Sequence, residues 1–105
     1  MLKRETKNCT LRIIKSYLLL NVCTSVKEMY DFLNCNDFRL GDITLMEVTV
    51  LLRDARNNCD FMDLCGKSVV IDSNNTLLYY LKENELVFDR LIEEGLVREK
   101  YNPLV

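Results

Sequence analysis

Cysteines are the most reactive side chains of this sequence, and their spacing limits the chemistry that they can support. They are Cys9, Cys23, Cys35, Cys59 and Cys65. The closest two are separated by five residues, whereas structural zinc sites use Cys or His pairs two to four residues apart. The chain has no His, so Ser-His-Asp and Cys-His nucleophile arrangements are excluded. We therefore expect neither a metal site nor a hydrolase.

Carboxylates near the carboxyl end offer a second chemistry, general acid and base catalysis. The acids concerned are Glu83, Glu85, Glu93 and Glu94. On an amphipathic helix such residues usually form the solvated face. The three glycines stand alone in the sequence, so no glycine-rich motif can cradle the phosphates of a nucleotide cofactor. These patterns predict a protein that binds rather than catalyses, with no cofactor.

The length and the net charge of the chain limit the classes of partner that it can bind. The chain has 105 residues and a net charge of −2, which predicts one domain over residues 1–105. Its first 15 residues contain five basic residues and one acid, so the remainder is acidic. An acidic total argues against a surface devoted wholly to phosphate. Unpaired, scattered cysteines indicate a reducing cytoplasm, and no apolar run is long enough to span a membrane.

Apolar residues at helical spacing predict three helices in the first half of the chain. The first covers residues 10–20. The second begins at a capping box formed by Ser25 and Glu28 and ends near Asn34. After nine residues rich in turn formers, a second capping box of Thr44 and Glu47 begins a third helix over residues 45–57.

The third helix has one apolar stripe and one polar face. We expect Leu45, Val48, Leu51, Leu52 and Ala55 to pack against the core. The residues expected to face away are Glu47, Thr49, Arg53, Arg56 and Asn57.

A β-hairpin is predicted next. Residues 67–72 are rich in β-branched side chains, residues 73–75 form a turn, and residues 76–81 can pair back. The alternative is a helix capped by Asn75 and running to Asn84, which would leave the first strand without a partner. We favour the hairpin.

Residues 85–94 predict a fourth helix that ends at Gly95. Its apolar side is expected to contain Leu86, Val87, Leu91 and Ile92. With Phe88 these are more apolar positions than one buried stripe requires, which predicts a homodimer through this helix.

The order of helices, turn and hairpin over residues 10–81 resembles the winged helix-turn-helix superfamily. The resemblance implies an α+β, mostly helical fold with three helices, a β-hairpin wing and a C-terminal helix. In that family the later helix of the pair lies in the major groove of double-stranded DNA, and the wing contacts the backbone. Two features depart from the family: the connection between the helices is about nine residues rather than three or four, and the total charge is acidic.

The resemblance implies DNA-binding roles for polar residues of the third helix and the wing. These residues are Thr49, Arg53, Arg56 and Asn57 on the helix, and Lys67, Ser73, Asn74 and Asn75 on the wing. The alternative is that the two arginines are ordinary solvated residues that pair with Asp54 or Glu47. The expected function is a small DNA-binding regulator of transcription or replication.

Two further interpretations stay open. Residues 77–101 also resemble two successive helices of death-fold interaction domains, which are six-helix bundles. On either scaffold, the acidic last helix would suit a basic protein partner and would need no nucleic acid.

Overall fold

Four helices and a three-stranded antiparallel sheet make up the described part of the chain. A computed structural model describes residues 4–35, 43–58 and 63–97. The elements are α1 (Arg4–Leu20), β1 (Cys23–Thr24), α2 (Val26–Cys35), α3 (Leu45–Asn58), β2 (Leu64–Ile71), β3 (Asn74–Leu81), a 3-10 turn (Lys82–Asn84) and α4 (Glu85–Glu93). The predicted α+β, mostly helical class is confirmed. Most of the predicted turn between α2 and α3 lies outside the described residues.

Helix α1 begins at Arg4, six residues earlier than its apolar stripe predicts. Residues 4–9 lack apolar periodicity, but Arg, Glu and Lys are good helix formers, and Glu5 lies in the first turn, where the helix dipole favours an acid. Thr10, the predicted first residue, is buried inside the helix, and its hydroxyl donates to the carbonyl oxygen of Thr6 at 2.7 Å.

Both predicted capping residues begin their helices. The Glu28 N–H donates to Ser25 Oγ at 3.1 Å at the start of α2, while Glu28 Oε1 accepts from the Tyr17 hydroxyl at 2.6 Å. At α3 the box is reciprocal, because the Thr44 N–H donates to Glu47 Oε1 at 3.0 Å and the Glu47 N–H donates to Thr44 Oγ1 at 3.1 Å.

The predicted hairpin is confirmed, and the helical alternative from Thr76 is wrong. The hairpin turn consists of Asp72 and Ser73 rather than residues 73–75, so Asn74 and Asn75 belong to the second strand. Strands β2 and β3 pair antiparallel from Leu64 opposite Leu81 to Ile71 opposite Asn74. Because this segment is a strand, the two-helix resemblance to death-fold domains is wrong over residues 77–81. The short strand β1 was not predicted; it pairs with the other edge of β3, so β3 is the central strand.

The sheet has an apolar cluster on each face. One contains Leu64, Tyr79 and Leu81 of the sheet, packed against α1, α2 and α3. The other contains Ile71, Leu78 and Tyr80, packed against Phe88 of α4. Alternating residues of β2 and β3 therefore point to opposite helical layers.

Two expected buried stripes are partly wrong. On α3, Val48, Leu51 and Leu52 are buried, but Leu45 is 46% exposed. On α4 only Phe88 is fully buried; its ring lies 4.4 Å from that of Tyr80, centroid to centroid.

The predicted apolar side of α4 therefore faces solvent in part. Leu86 is 83% and Val87 is 50% exposed, while Leu91 and Ile92 are half-buried. The predicted end of the helix is confirmed: Gly95 has φ +73° and its N–H donates to the Ile92 carbonyl. No helix within the described ranges has both the length and the apolar character needed to cross a bilayer.

Candidate nucleic-acid interface

The carboxyl-terminal half of α3 presents most of the predicted helix residues to solvent. Arg53, Arg56 and Asn57 are exposed. Thr49 is half-buried, and its hydroxyl donates to the Leu45 carbonyl one turn earlier at 2.8 Å. That hydroxyl is engaged in the helix, so Thr49 is the least available of the four.

The Arg56 guanidinium lies close to the backbone of Gly66 in the hairpin, a position that the absence of a side chain on Gly66 allows. A Cβ on Gly66 would come within 3.0 Å of Nη1, 3.1 Å of Cζ and 3.2 Å of Nε of Arg56. Three atoms of one guanidinium at nearly equal distances mean that the group covers the Gly66 backbone. Arg56 is four residues after Leu52 and eight after Val48, so it extends the buried stripe of α3 onto the sheet.

Tyr79 stands directly opposite Gly66 on β3. Burial raises the pKa of Tyr79, and the positive charges of Arg56 and Arg53 oppose this rise. Both arginines therefore lie close enough to the phenol to influence it. Together α3, Gly66 and Tyr79 position two cations at the junction between the helix and the hairpin.

The sheet separates the predicted wing residues. Asn75 belongs to the side of β3 that also contains Tyr79 and faces α3. Asn74 and Lys67 belong to the other side, and Lys67 Nζ lies 3.3 Å from Asp89 Oδ1 of α4. Because side chains alternate along a strand, Lys67 and Asn74 lie on the side of the sheet away from α3, so the structure does not bring them together with the predicted α3 residues.

The hairpin turn is built from Asp72 and Ser73, which both have positive φ, 51° and 69°. This is the backbone of a two-residue type I′ turn, whose twist matches that of the strands. Asn74 Nδ2 donates to the Asp72 carbonyl at 3.3 Å, so its amide stabilises the turn.

The alternative that the two arginines pair with neighbouring acids is observed for Arg53. Arg53 Nε lies 3.7 Å from Asp54 Oδ1, and both side chains are largely exposed. Such a pair contributes little and leaves the guanidinium able to bind another anion.

Exposed apolar residues on α3 and on the α3-facing side of the hairpin were not predicted. They are Met46 on α3 and Val70 and Leu77 on the α3-facing side of the hairpin. The signal for the Gly66 contact was present in the sequence, since an isolated glycine in a strand pattern indicates a close backbone approach. Sequence alone could not name Arg56 as the group that approaches.

The cysteines of the described ranges differ in exposure. Cys23 is buried, Cys65 is half-buried, Cys9 and Cys35 are exposed, and none of these four is in a disulfide; Cys59 lies outside the described residues. Within the described ranges, no group of three or more Cys, Asp or Glu side chains could hold a metal ion.

Comparisons with known proteins give no relative: no family model, no curated protein and no solved structure matches this chain. The winged helix-turn-helix resemblance stays a prediction from the order of elements.

Proposed function

We propose that this protein is a winged helix-turn-helix regulator that binds double-stranded DNA through the carboxyl-terminal half of α3. The observation that supports this most directly is the exposure of Arg53, Arg56 and Asn57 on α3, beside a hairpin whose Asn75 lies on the same side of the sheet. A helix pair followed by a hairpin is the element order that the resemblance requires.

The two arginines have different expected roles. Arg56 is fixed against the backbone of Gly66, and a cation of fixed position suits a phosphate, whose contacts set the register of a protein on DNA. Arg53 has only a weak pair with Asp54 and has more freedom to reach a phosphate or the edge of a guanine. Asn57 and Asn75 supply neutral donors and acceptors at the two ends of this surface.

The small number of basic groups predicts modest affinity. With Lys67 paired to Asp89 on the opposite side of the sheet, two or three phosphates are the expected contacts. The logarithm of the binding constant should then fall with the logarithm of salt concentration with a slope of about −2 to −3.

Fluorescence anisotropy of a labelled mixed-sequence duplex, titrated with reduced protein across a salt series, tests this proposal. The informative variant is R53A/R56A, which should lower the salt slope by about 2 and weaken binding to all sequences. The matched control is K82A/R90A, which removes the same charge from exposed residues of the 3-10 turn and α4.

Equal loss of binding in both variants would mean that only net charge matters and would contradict a site on α3. Absence of binding to wild-type protein at low salt would refute DNA binding altogether.

A protein-binding module is the second candidate, supported by exposed Leu86 and Val87 on the acidic helix α4. In this alternative the acids attract a basic partner and the apolar residues supply contact area. Retention of such a partner by R53A/R56A, and its loss in E93K/E94K, would favour this function over DNA binding.

A further inference from the structure

Helix α1 has a second stripe of side chains that does not enter the core. Leu11, Ile14 and Leu18 are buried in the core. The other stripe lines most of a groove of about 440 Å³, to which α2 contributes Phe32. The groove is lined by Cys9, Arg12, Ile13, Ser16, Tyr17, Leu20, Asn21 and Phe32.

The lining of the groove is mainly apolar and contains one basic residue. The rings of Tyr17 and Phe32 lie 4.5 Å apart, centroid to centroid, and form its floor, while Leu20 is 84% exposed at one end. Arg12 is the charged residue of the lining.

The acids of α2 near this groove already have partners. Glu28 accepts the hydrogen bond of the Tyr17 hydroxyl, and Asp31 pairs with Lys27 at 3.0 Å. Since Glu5 is the single acid of α1, against four basic residues, the groove suits an acidic occupant.

Helix α4 has the complementary surface. Phe88 attaches its inner side to the sheet, and its outer side exposes Leu86 and Val87. At helical spacing from these two lie Arg90 and Glu93 of α4, Glu94 directly after it, and Glu83 of the preceding 3-10 turn. The outer side is therefore an apolar pair surrounded by a net negative charge.

Length supports the match. The groove residues from Cys9 to Leu20 extend about 16 Å along α1 at the rise of an α-helix, and the nine residues of α4 extend about 13 Å. An amphipathic helix that lays its apolar side in a groove between two other helices is a common mode of recognition.

We propose that the α1–α2 groove binds α4 of a second copy of this chain, with Leu86 and Val87 on the Tyr17–Phe32 floor and the acids of α4 beside Arg12. The contact joins two different surfaces, so two copies form a closed dimer when each α4 enters the other's groove. This arrangement avoids the repulsion between acids that would result from pairing α4 with α4. It does not depend on DNA binding.

Sedimentation velocity of the reduced full-length protein, from micromolar to near-millimolar concentration, tests the inference with three single variants. L20E places a charge in the groove and L86E places one on α4; both positions are more than four-fifths exposed, so neither change disturbs the core. V70E, a similar change at an exposed hairpin residue, is the control.

Wild-type protein and V70E should dimerise, and L20E and L86E should each be monomeric. An equimolar mixture of L20E and L86E should recover a one-to-one complex, because α4 of the first variant fits the unchanged groove of the second. If wild-type protein forms oligomers larger than a dimer, and both variants prevent their formation, the same contact joins the copies in a head-to-tail chain.

Three results would overturn the inference. They are a monomeric wild type at every concentration, a dimer lost in L86E but kept in L20E, and a variant mixture that stays monomeric. The second result would indicate pairing of α4 with α4.

Discussion

Replacing Gly66 by Ala should move the Arg56 guanidinium without destabilising the fold. Gly66 lies inside β2, opposite Tyr79, where glycine is usually unfavourable because its backbone is so free in the unfolded chain. Its neighbours on the α3 side are the Nη1, Cζ and Nε atoms of Arg56. The three atoms nearest to an added methyl group would therefore all belong to a flexible side chain.

The size of the effect follows from these distances. A Cβ would lie 3.0 to 3.2 Å from the guanidinium atoms, whereas ordinary contacts begin near 3.4 Å. Arg56 must therefore move by a few tenths of an ångström or more, which a flexible side chain does at small cost. Against this cost stands a gain of about 0.5–1 kcal/mol for Ala over Gly in a strand. We expect G66A to unfold at equal or slightly higher urea concentration than wild type.

DNA binding by the same variant should decrease although its stability does not. The methyl group displaces the guanidinium from its position on Gly66, and holding the side chain in place on DNA then costs up to about 1 kcal/mol. We therefore expect binding of the mixed-sequence duplex to weaken by up to about fivefold. G66A/R56A should bind no more weakly than R56A, because the arginine that Gly66 positions is gone. G66A/R53A should show the sum of the two single effects, which identifies Arg56 as the residue that Gly66 serves.

A loss of more than about 1 kcal/mol in the free energy of unfolding of G66A would refute this reasoning, since it would mean that the contact is too rigid to yield. Unchanged DNA affinity in G66A, with clear weakening in R56A, would show that the position of the guanidinium does not matter. If wild-type protein binds no DNA, the stability measurement still tests the Gly66 contact by itself.

Two further predictions concern stability. Burial first, and then the hydrogen bond to Glu28, raise the pKa of Tyr17, so the folded protein retains this phenolic proton more tightly than the unfolded chain does. The stability that results from this proton is present below about pH 10 and is lost as the pH rises further. The urea midpoint should therefore fall less steeply between about pH 8 and 11 in Y17F than in wild type. Equal slopes in the two proteins would show that Tyr17 is not the cause of the pH dependence. At the hairpin turn, Ser73 has φ 69°, a conformation that glycine adopts more easily than serine, so S73G should raise the free energy of unfolding by about 0.5 kcal/mol. S68G, inside β2, should lower it by about 0.5–1 kcal/mol. An equal response of the two variants in urea unfolding would refute the turn argument.

Local signals were sufficient to predict the principal helices and the hairpin. Thr44 and Glu47 form the reciprocal box that their spacing predicts, and Gly95 ends α4 with positive φ as expected. Each of these depends on residues within one turn of each other. Interactions of this range are determined by the chain itself, so the pattern was sufficient.

The surfaces of the elements were predicted less well, because they depend on distant partners. Lys67 was expected to contact DNA as part of the wing, but the register of β2 turns it away from α3 and towards Asp89. Leu86, Val87, Leu91 and Ile92 were expected on one apolar side of α4. The sheet instead buries Phe88 fully and Leu91 and Ile92 in part, and it leaves Leu86 and Val87 exposed. Periodicity shows that a helix has an apolar side but not which of two adjacent positions the sheet covers.

The central position of β3 also determines the order in which this chain can assemble. Its hairpin partner β2 is adjacent in sequence, but its other partner β1 is about 55 residues away, with Thr24 opposite Tyr79. Closing so long a loop costs chain entropy, and the two residue pairs of β1 contribute only a small stabilising energy against this cost. The hairpin and the helix pair can form early from local contacts, while the β1–β3 pairing that unites them must wait for both. The β1–β3 pairing is thus one of the long-range contacts, with the packing of α1, α2 and α3 on the sheet, that join the local units.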